Sequence, residues 1–427
     1  MLSFEERKKI KRLMQREIIP AIGCTEPISV SLCVAKATEV LGAEPHRVEV
    51  LLSSNVLKNA MGVGIPGTGM IGLPIAIALG ALIGKPEYGL EVLQDLKPAD
   101  VERGKLFIYG QRIKIDLKTD VEDKLYIEAR CFTETESSVA VIHGNHTQFS
   151  YIEKNGKALL EKEMKTSEEK RNDFPLSFAK VYEFAIESPI DELRFILEAA
   201  KMNREASKMA QKENYGHNVA KSLTGEKGKV LFGENPHSRM ISATAGACDA
   251  RMDGALIPVM SNSGSGNQGV AATLPVLTYA EEAGSNEESL IRALILSNLS
   301  VIYIKQHMGR LSALCGCVVA SAGSSCAITY LMGGNYSQVT FAVKNMIANI
   351  TGMICDGAKP SCALKIASST STAMLSALMA IENRVATSQE GIVDDDVDKT
   401  IRNLAIIGKK GMAETDRIVL DVMTRKG

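Results

Sequence analysis

The chain has no tryptophan, so its long uncharged stretches lack the aromatic belts that flank membrane spans, and Lys and Arg do not gather on one side of them either. Three such stretches, residues 59–84, 254–280 and 311–343, are long enough to cross hydrocarbon by length alone. Pro66, Pro74 and closely spaced glycines interrupt the first, and a run of polar residues from Ser261 to Gln268 interrupts the second. Closely packed buried helices with small-residue contacts are therefore expected, and no membrane partner. A surplus of charge is missing too: 49 Lys and Arg face 50 Asp and Glu, for a net −1. The basic residues are scattered, with no stripe to neutralise phosphates, which argues against a nucleic-acid partner. The N-terminal residues carry both charges and no apolar core, unlike a signal peptide. A cytoplasmic location is the expectation, and there thiols stay reduced. The phosphate-binding loop G-x-x-x-x-G-K-[ST], the Rossmann fingerprint and paired C-x2-C are all lacking.

What is present is a globular composition, 45% hydrophobic and 23% charged over 427 residues, enough for more than one core. Ser3 and Glu6 form the S-x-x-E capping box of a helix running to about residue 19. Thr25 is placed to cap a second helix over 26–41, with Glu26 and Pro27 in its first turn. Residues 46–53 alternate as a strand, and a glycine-rich segment over 62–69 leads to a helix over 71–83. Residues 105–109, 112–116, 125–130 and 138–142 read as short strands of an antiparallel sheet. From Pro175 onward helical periodicity dominates: 184–209, 287–303, 337–355, 361–382 and 396–409. The expected class is α+β, a large mainly helical domain with a smaller antiparallel-sheet domain. Residues 1–43 are expected to pack on the helical domain, 44–173 to form the small domain, and 174–427 the large one.

Nine cysteines in a reducing compartment read as ligands, nucleophiles or core residues. Five cluster late: Cys315, Cys317, Cys326, Cys355 and Cys362. Cys355 precedes the turn Asp356-Gly-Ala-Lys-Pro360, and Ser361 as a cap puts Cys362 in the next helix's first turn, where thiolate is favoured. A third thiol from another helix would complete a three-thiolate site with one open metal position. Inert core cysteine is the competing reading, and it suits Cys33, Cys131, Cys248, Cys317 and Cys326. The loop Ser261-Asn262-Ser263-Gly264-Ser265-Gly266-Asn267-Gln268-Gly269 lies between apolar segments and offers backbone N–H groups and small polar side chains to a carboxylate or phosphate. Lys58 or Asn59, before the 62–69 glycines, meets an anion there or stays solvated. Arg310 could clamp a carboxylate.

These motifs converge. Ile22-Gly-Cys-Thr-Glu-Pro27, Gly62-Val-Gly-Ile-Pro-Gly-Thr68, the Ser261–Gly269 loop, Gly309-Arg-Leu-Ser-Ala-Leu-Cys-Gly316 and Met353-Ile-Cys-Asp-Gly-Ala-Lys-Pro-Ser-Cys-Ala363 resemble the L-cysteine desulfidase family across nearly the whole chain. More distantly they are similar to the alpha part of iron–sulfur L-serine dehydratases. The resemblance implies a [4Fe–4S] cluster on Cys315, Cys355 and Cys362, with Cys317 an alternative to Cys315. It also implies Cys24 as a proton-handling group or resting ligand, and β-elimination of L-cysteine to hydrogen sulfide, ammonia and pyruvate. The Ser261–Gly269 loop would hold the substrate carboxylate. L-Serine dehydration is the nearest rival. A pyridoxal phosphate lyase using Lys180 and a non-catalytic thiol or metal-binding protein are the others. A homodimer is the expected assembly on symmetry grounds.

Overall fold

The computed structural model describes residues 2–119, 121, 123, 125–162, 174–309 and 313–425. Helix α1 (Phe4–Glu17) begins at the expected capping box: Ser3 Oγ accepts from the Glu6 N–H, and Glu6 reaches back to the Ser3 N–H. A three-residue strand β1 (Pro20–Ile22) leads to α2 (Thr25–Leu41), whose N-cap is Cys24 rather than Thr25. Cys24 holds the extended backbone of a cap without a side-chain hydrogen bond, which leaves its thiol free for other work.

The smaller part follows: β2 (Arg47–Leu52), α3 (Ser54–Ala60), the short hairpin β3 (Gly64–Ile65) and β4 (Met70–Ile71), α4 (Leu73–Ile83), α5 (Pro98–Tyr109), then β5 (Ile113–Leu117), β6 (Tyr126–Phe132), β7 (Ser137–His143), β8 (Phe149–Lys154) and β9 (Lys157–Glu161). The six-stranded sheet runs β5-β2-β6-β7-β8-β9. It is mixed, since β5 lies parallel to β2 while the other pairs are antiparallel. A parallel neighbour needs a long crossover, and α3 to α5 supply it. Val48, Val50 and Leu52 line up with Ile127, Ala129, Cys131, Ala140 and Ile142 to form a core under α2 and α4. Residues 105–109 are the last turn of α5 and not a strand. Pro98 at its start and the Asp100 carboxylate on the Lys97 N–H nucleate a helix, and Val101, Gly104 and Phe107 are its buried stripe. Alternation of Leu106 and Ile108 is incidental, and Leu106 is exposed.

The larger part contains α6 (Phe178–Glu187), α7 (Ile190–Leu193), α8 (Leu197–Lys212), α9 (Val219–Thr224), α10 (Glu226–Phe232), α11 (Pro236–Met252), β10 (Pro258–Met260), α12 (Gly266–Glu282), α13 (Glu287–Met308), α14 (Gly316–Leu331), α15 (Tyr336–Ile350), α16 (Cys362–Ile381), α17 (Val397–Ile406) and α18 (Ala413–Thr424). Ser188-Pro189 breaks the helix expected over 184–209, and α15 stops at Ile350, short of Cys355. Helix α14 is the centre, packed on α12, α13, α15 and α16. Small residues let it approach: a Cβ on Gly323 would stand 2.5 Å from the Ser297 carbonyl oxygen. Helix α1 joins this larger core through Ile10, Leu13 and Met14. Helix α2, expected to join it, packs instead on the sheet, because its residues Ile28 to Leu41 match the apolar face of β6 and β7. Strand β1 pairs antiparallel with β10, Ala21 opposite Val259, and ties the N-terminus to the larger part. Among the described residues one helix, α16, is long and apolar enough to cross a membrane by length and composition.

Candidate active site

Five short segments converge at the junction of the two cores, and each is placed by local chemistry. The first is Gly23-Cys24. Gly23 has φ +65°, and a Cβ there would lie 2.5 Å from Pro66, so only glycine lets the β3–β4 turn close over the start of α2. Cys24 is 5% exposed. Burial pushes its thiol up to about 12, against the pull of the Arg251 guanidinium, with Glu26 and Cys362 adding to the rise. The helix terminus alone suggests an easier thiolate than this; desolvation decides otherwise.

The second and third segments carry Cys315 and Cys355. Leu314 and Ile354 form an antiparallel bridge, flanked by hydrogen bonds from the Cys315 N–H to the Met353 oxygen (2.9 Å) and from the Cys355 N–H to the Ala313 oxygen (2.6 Å). Side chains alternate across such a ladder, so Cys315 and Cys355 share the face opposite Leu314 and Ile354. They are diagonal neighbours, about 7–8 Å apart at the backbone and closer at the side chains. Cys315 caps α14 without a side-chain cap bond, and the Cys317 thiol and N–H lie where they favour its anion. The Cys317 thiol bond is the largest influence; it outweighs burial and, with help from Lys365, draws Cys315 down to about 7. The donating Cys317 is driven up, so within this pair Cys315 carries the anion.

The fourth segment is the loop from Cys355 to Cys362. Gly357 has φ +88° and packs on the Lys58 carbonyl, where a Cβ would overlap it. Asp356 is bridged by Lys359 and Lys365, and Lys365 also donates to the Ile354 carbonyl (2.9 Å). Cys362 opens α16, and burial pushes its thiol up to about 11, opposed by the Lys359 backbone. Cys355 feels the charge of Cys315, Cys362 feels that of both, and Cys362 also acts on Cys24 and Cys248. Cys315 is buried, while Cys355 and Cys362 are half-buried. Cys33, Cys131 and Cys326 lie away from this cluster: Cys33 and Cys131 in the sheet core, and Cys326 inside α14.

The fifth segment is the loop before α12. Ser261 Oγ donates to the Ile19 carbonyl (2.6 Å), Asn262 Nδ2 to Asn298 Oδ1 (3.0 Å), and Ser263 Oγ to Asn262 Oδ1 (2.9 Å). Ser265 caps α12 on the Gln268 N–H. These side chains hold the loop itself, with Ser263 at φ +50° and Gly264 at +82° making the turn. Asn267 and Gln268 are left on the inner turn of α12. Asn267 Oδ1 accepts from Arg251 (3.0 Å), and a Cβ on Gly316 would stand 3.0 Å from the Gln268 side chain. The N-termini of α2, α12, α14 and α16 thus meet around the thiols, where their N–H groups favour anions.

Lys58 is buried at 2% exposure. It forms an ion pair with Asp416 of α18 and donates to the Cys355 carbonyl (3.4 Å), so it fixes the Cys355 loop. Asn59 Nδ2 donates to Glu26 (3.1 Å) beside Cys24. Arg310 lies outside the described residues. Lys180 is remote, paired with Glu6 beside α1. Sequence reasoning missed Arg251. Its guanidinium, 4% exposed, donates to the Gly23 carbonyl (2.7 Å) and stands 3.8 Å from Cys24 Sγ. The signal was a lone arginine in the small-residue run Thr244-Ala-Gly-Ala-Cys-Asp-Ala-Arg251.

Among the described residues no group of three His, Cys, Asp or Glu converges on a single ion. A single tetrahedral ion needs sulfurs about 4 Å apart. An iron–sulfur cluster spreads its thiolates over separate irons, and a wide, all-sulfur set with lysines and helix N-termini around it fits that group. Surface clefts of about 330 Å³ (Arg204, Ser238, Leu274) and 610 Å³ (Glu128, Tyr151) lie away from the thiols, so chemistry rather than volume locates this site.

Comparison with known proteins shows the family. UPF0597 proteins of Bacteroides fragilis and Parabacteroides distasonis are 62% and 60% identical over 423 and 424 residues, covering 99% and 98% of both chains. A UPF0597 protein of Shewanella halifaxensis is 44% identical over 426 residues, covering 97% of each. The model of the serine dehydratase alpha chain matches residues 87–421, a span that holds Arg251, the α12 loop and all three late thiols. The chain therefore belongs to the serine dehydratase alpha chain family and to its UPF0597 relatives.

Proposed function

We propose that this protein is an iron–sulfur lyase that eliminates hydrogen sulfide from L-cysteine and yields pyruvate and ammonia. The observation that carries the reading is the set of three late thiols, two on one ladder face and the third at a helix start, each within electrostatic reach of the others. Cys315, Cys355 and Cys362 would hold a [4Fe–4S] cluster. When bound, its open iron supplies a Lewis acid for the departing sulfur.

The chain's own residues account for the rest. Cys24 handles the Cα proton: it is buried beside the fixed charge of Arg251 at the N-terminus of α2, and both offset part of the desolvation that its thiolate suffers. Asn267 and Gln268 border the substrate on the α12 side, and Lys58 keeps the Cys355 loop in place from behind. Loss of the Cα proton and of the β-sulfur leaves aminoacrylate, whose imine tautomer hydrolyses to pyruvate and ammonia.

L-Serine is the second reading, favoured by the family description; the same residues would then serve loss of a hydroxyl. Protein purified without air and assayed for iron, sulfide and pyruvate decides both questions. Bound iron with faster pyruvate release from L-cysteine is expected. Faster release from L-serine reassigns the leaving group, and absence of iron overturns the reading.

A further inference from the structure

Lys58 touches the thiol loop twice. Its ammonium donates to the Cys355 carbonyl (3.4 Å), and its own carbonyl packs on Gly357, where a Cβ would overlap it. From Gly357 the contact passes to the second half-buried thiol, since Cys362 Sγ donates to the Gly357 carbonyl (3.7 Å). Nothing in the proposed chemistry uses the Lys58 charge, yet the residue is 2% exposed and needs a counter-charge to stay buried. That counter-charge, Asp416, comes from α18.

Helix α18 grips the loop along one stripe. Asp416, Leu420 and Met423 are spaced i, i+4, i+7 and share a face. Asp416 pairs with Lys58, Leu420 enters the smaller core, and Met423 Cε lies 3.5 Å from where a Gly357 Cβ would stand. The preceding helix, α17, belongs to the larger core through Ile401 and Leu404, and a wide π-helical turn, Ile407–Gly411, joins the two. Helix α18 therefore bridges both cores across the loop. Its hold is light. Leu420 is its one buried side chain, while Ile418 and Val422 are 50% and 55% exposed. Elements with so little burial open locally, ahead of the cores.

We propose that α18 is a releasable clasp over the Cys355–Cys362 loop, with Asp416, Leu420 and Met423 as positioning residues, and that its release opens these two thiols to solvent. The proposal goes beyond the lyase reading and rests on it in one respect, the iron and sulfide that the opened thiols would take up.

Iodoacetamide labelling of reduced, metal-free protein, read at each cysteine by mass spectrometry, follows the clasp without a cluster. Leu420→Ser removes the buried anchor, and Cys355 and Cys362 should then label at least about tenfold faster than in the unaltered protein. Asp416→Asn, which takes away the counter-charge, should do the same, and Asp416→Glu, which keeps it, should restore labelling to within about threefold. Cys131 in the sheet core and Cys326 inside α14 should stay protected throughout. Met423→Ala, a milder change should Leu420→Ser fail to fold, should speed both loop thiols by a smaller factor. Arg417→Ala, which breaks the exposed pair with Glu414 on α18, should change nothing. Loop thiols that label at the unaltered rate in the Leu420 and Asp416 variants would overturn the clasp. So would faster labelling that spreads equally to Cys131 and Cys326 in every α18 variant, which marks general unfolding. The expected pattern in a protein that holds no iron and releases no pyruvate would leave the clasp standing and remove the lyase reading.

Discussion

The buried pair between Lys58 and Asp416 offers the most quantitative test of how the thiol loop is held. Lys58 is 2% exposed and Asp416 18%, and among the described residues the ammonium has, beyond the carboxylate, only the Cys355 carbonyl at 3.4 Å. Removing one member of a sealed pair costs about 3–5 kcal/mol, since the remaining charge stays desolvated. Water reaches Asp416, so about 2–3 kcal/mol is expected for Asp416→Leu. In a chain of this length that lowers Tm by about 2–6 °C. The double variant Lys58→Met/Asp416→Leu removes both charges and should melt within about 2 °C of the unaltered protein. Scanning calorimetry on the four members of the cycle reads the coupling directly. A double variant that melts at the sum of the two single losses would refute the reasoning, because it would mean that the charges do not feel each other.

Other outcomes follow from the same geometry. Cys315→Ala should abolish bound iron whereas Cys317→Ala should keep it, by iron and sulfide analysis; equal loss would reverse the ligand assignment. Cys24→Ala should retain iron and lose pyruvate release, and retained turnover would remove Cys24 from the chemistry. Gly357→Ala places a side chain at φ +88° against the Lys58 carbonyl; about 1–2 kcal/mol of backbone strain plus the overlap should lower both Tm and iron content. Burial raises the Glu128 carboxyl, but hydrogen bonds from Tyr126 and Arg130 and the charges of Arg130 and Lys118 outweigh it and hold it below the usual carboxylate range. A depressed group stabilises the fold above the ordinary carboxylate pKa, and that contribution is lost as pH falls through its lower folded value. Glu128→Gln should therefore melt below the unaltered protein at neutral pH, with the gap closing in acid; a gap that ignores pH would contradict it.

Much of the fold was legible where one local rule acted alone. The capping box at Ser3, the alternation in β6 and β7 and the periodicity of α13 and α16 each point one way. Errors arose where two rules competed. Residues 105–109 alternate like a strand, yet the stronger signal was Pro98 and Asp100 opening a helix upstream. The parallel pairing of β5 depends on a crossover that no window of a few residues contains. At the site, the late cysteines were visible because thiols are rare and cluster. Ser261, Asn262 and Ser263 looked equally free in sequence, and only coordinates reveal that they spend their polar atoms on Ile19, Asn298 and one another. Arg251 is the converse case: a charged residue at the end of a helix rich in small residues is easily read as a surface residue, and its burial becomes visible only once its neighbours are known.

The position of Cys24 has a consequence for any attempt to divide the molecule. It heads a helix whose body belongs under the sheet, while Arg251 and the three late thiols are carried by the helical half. On the proposed reading neither half owns a complete reaction centre, so fragments severed between β9 and α6 would have to find each other again before chemistry could resume.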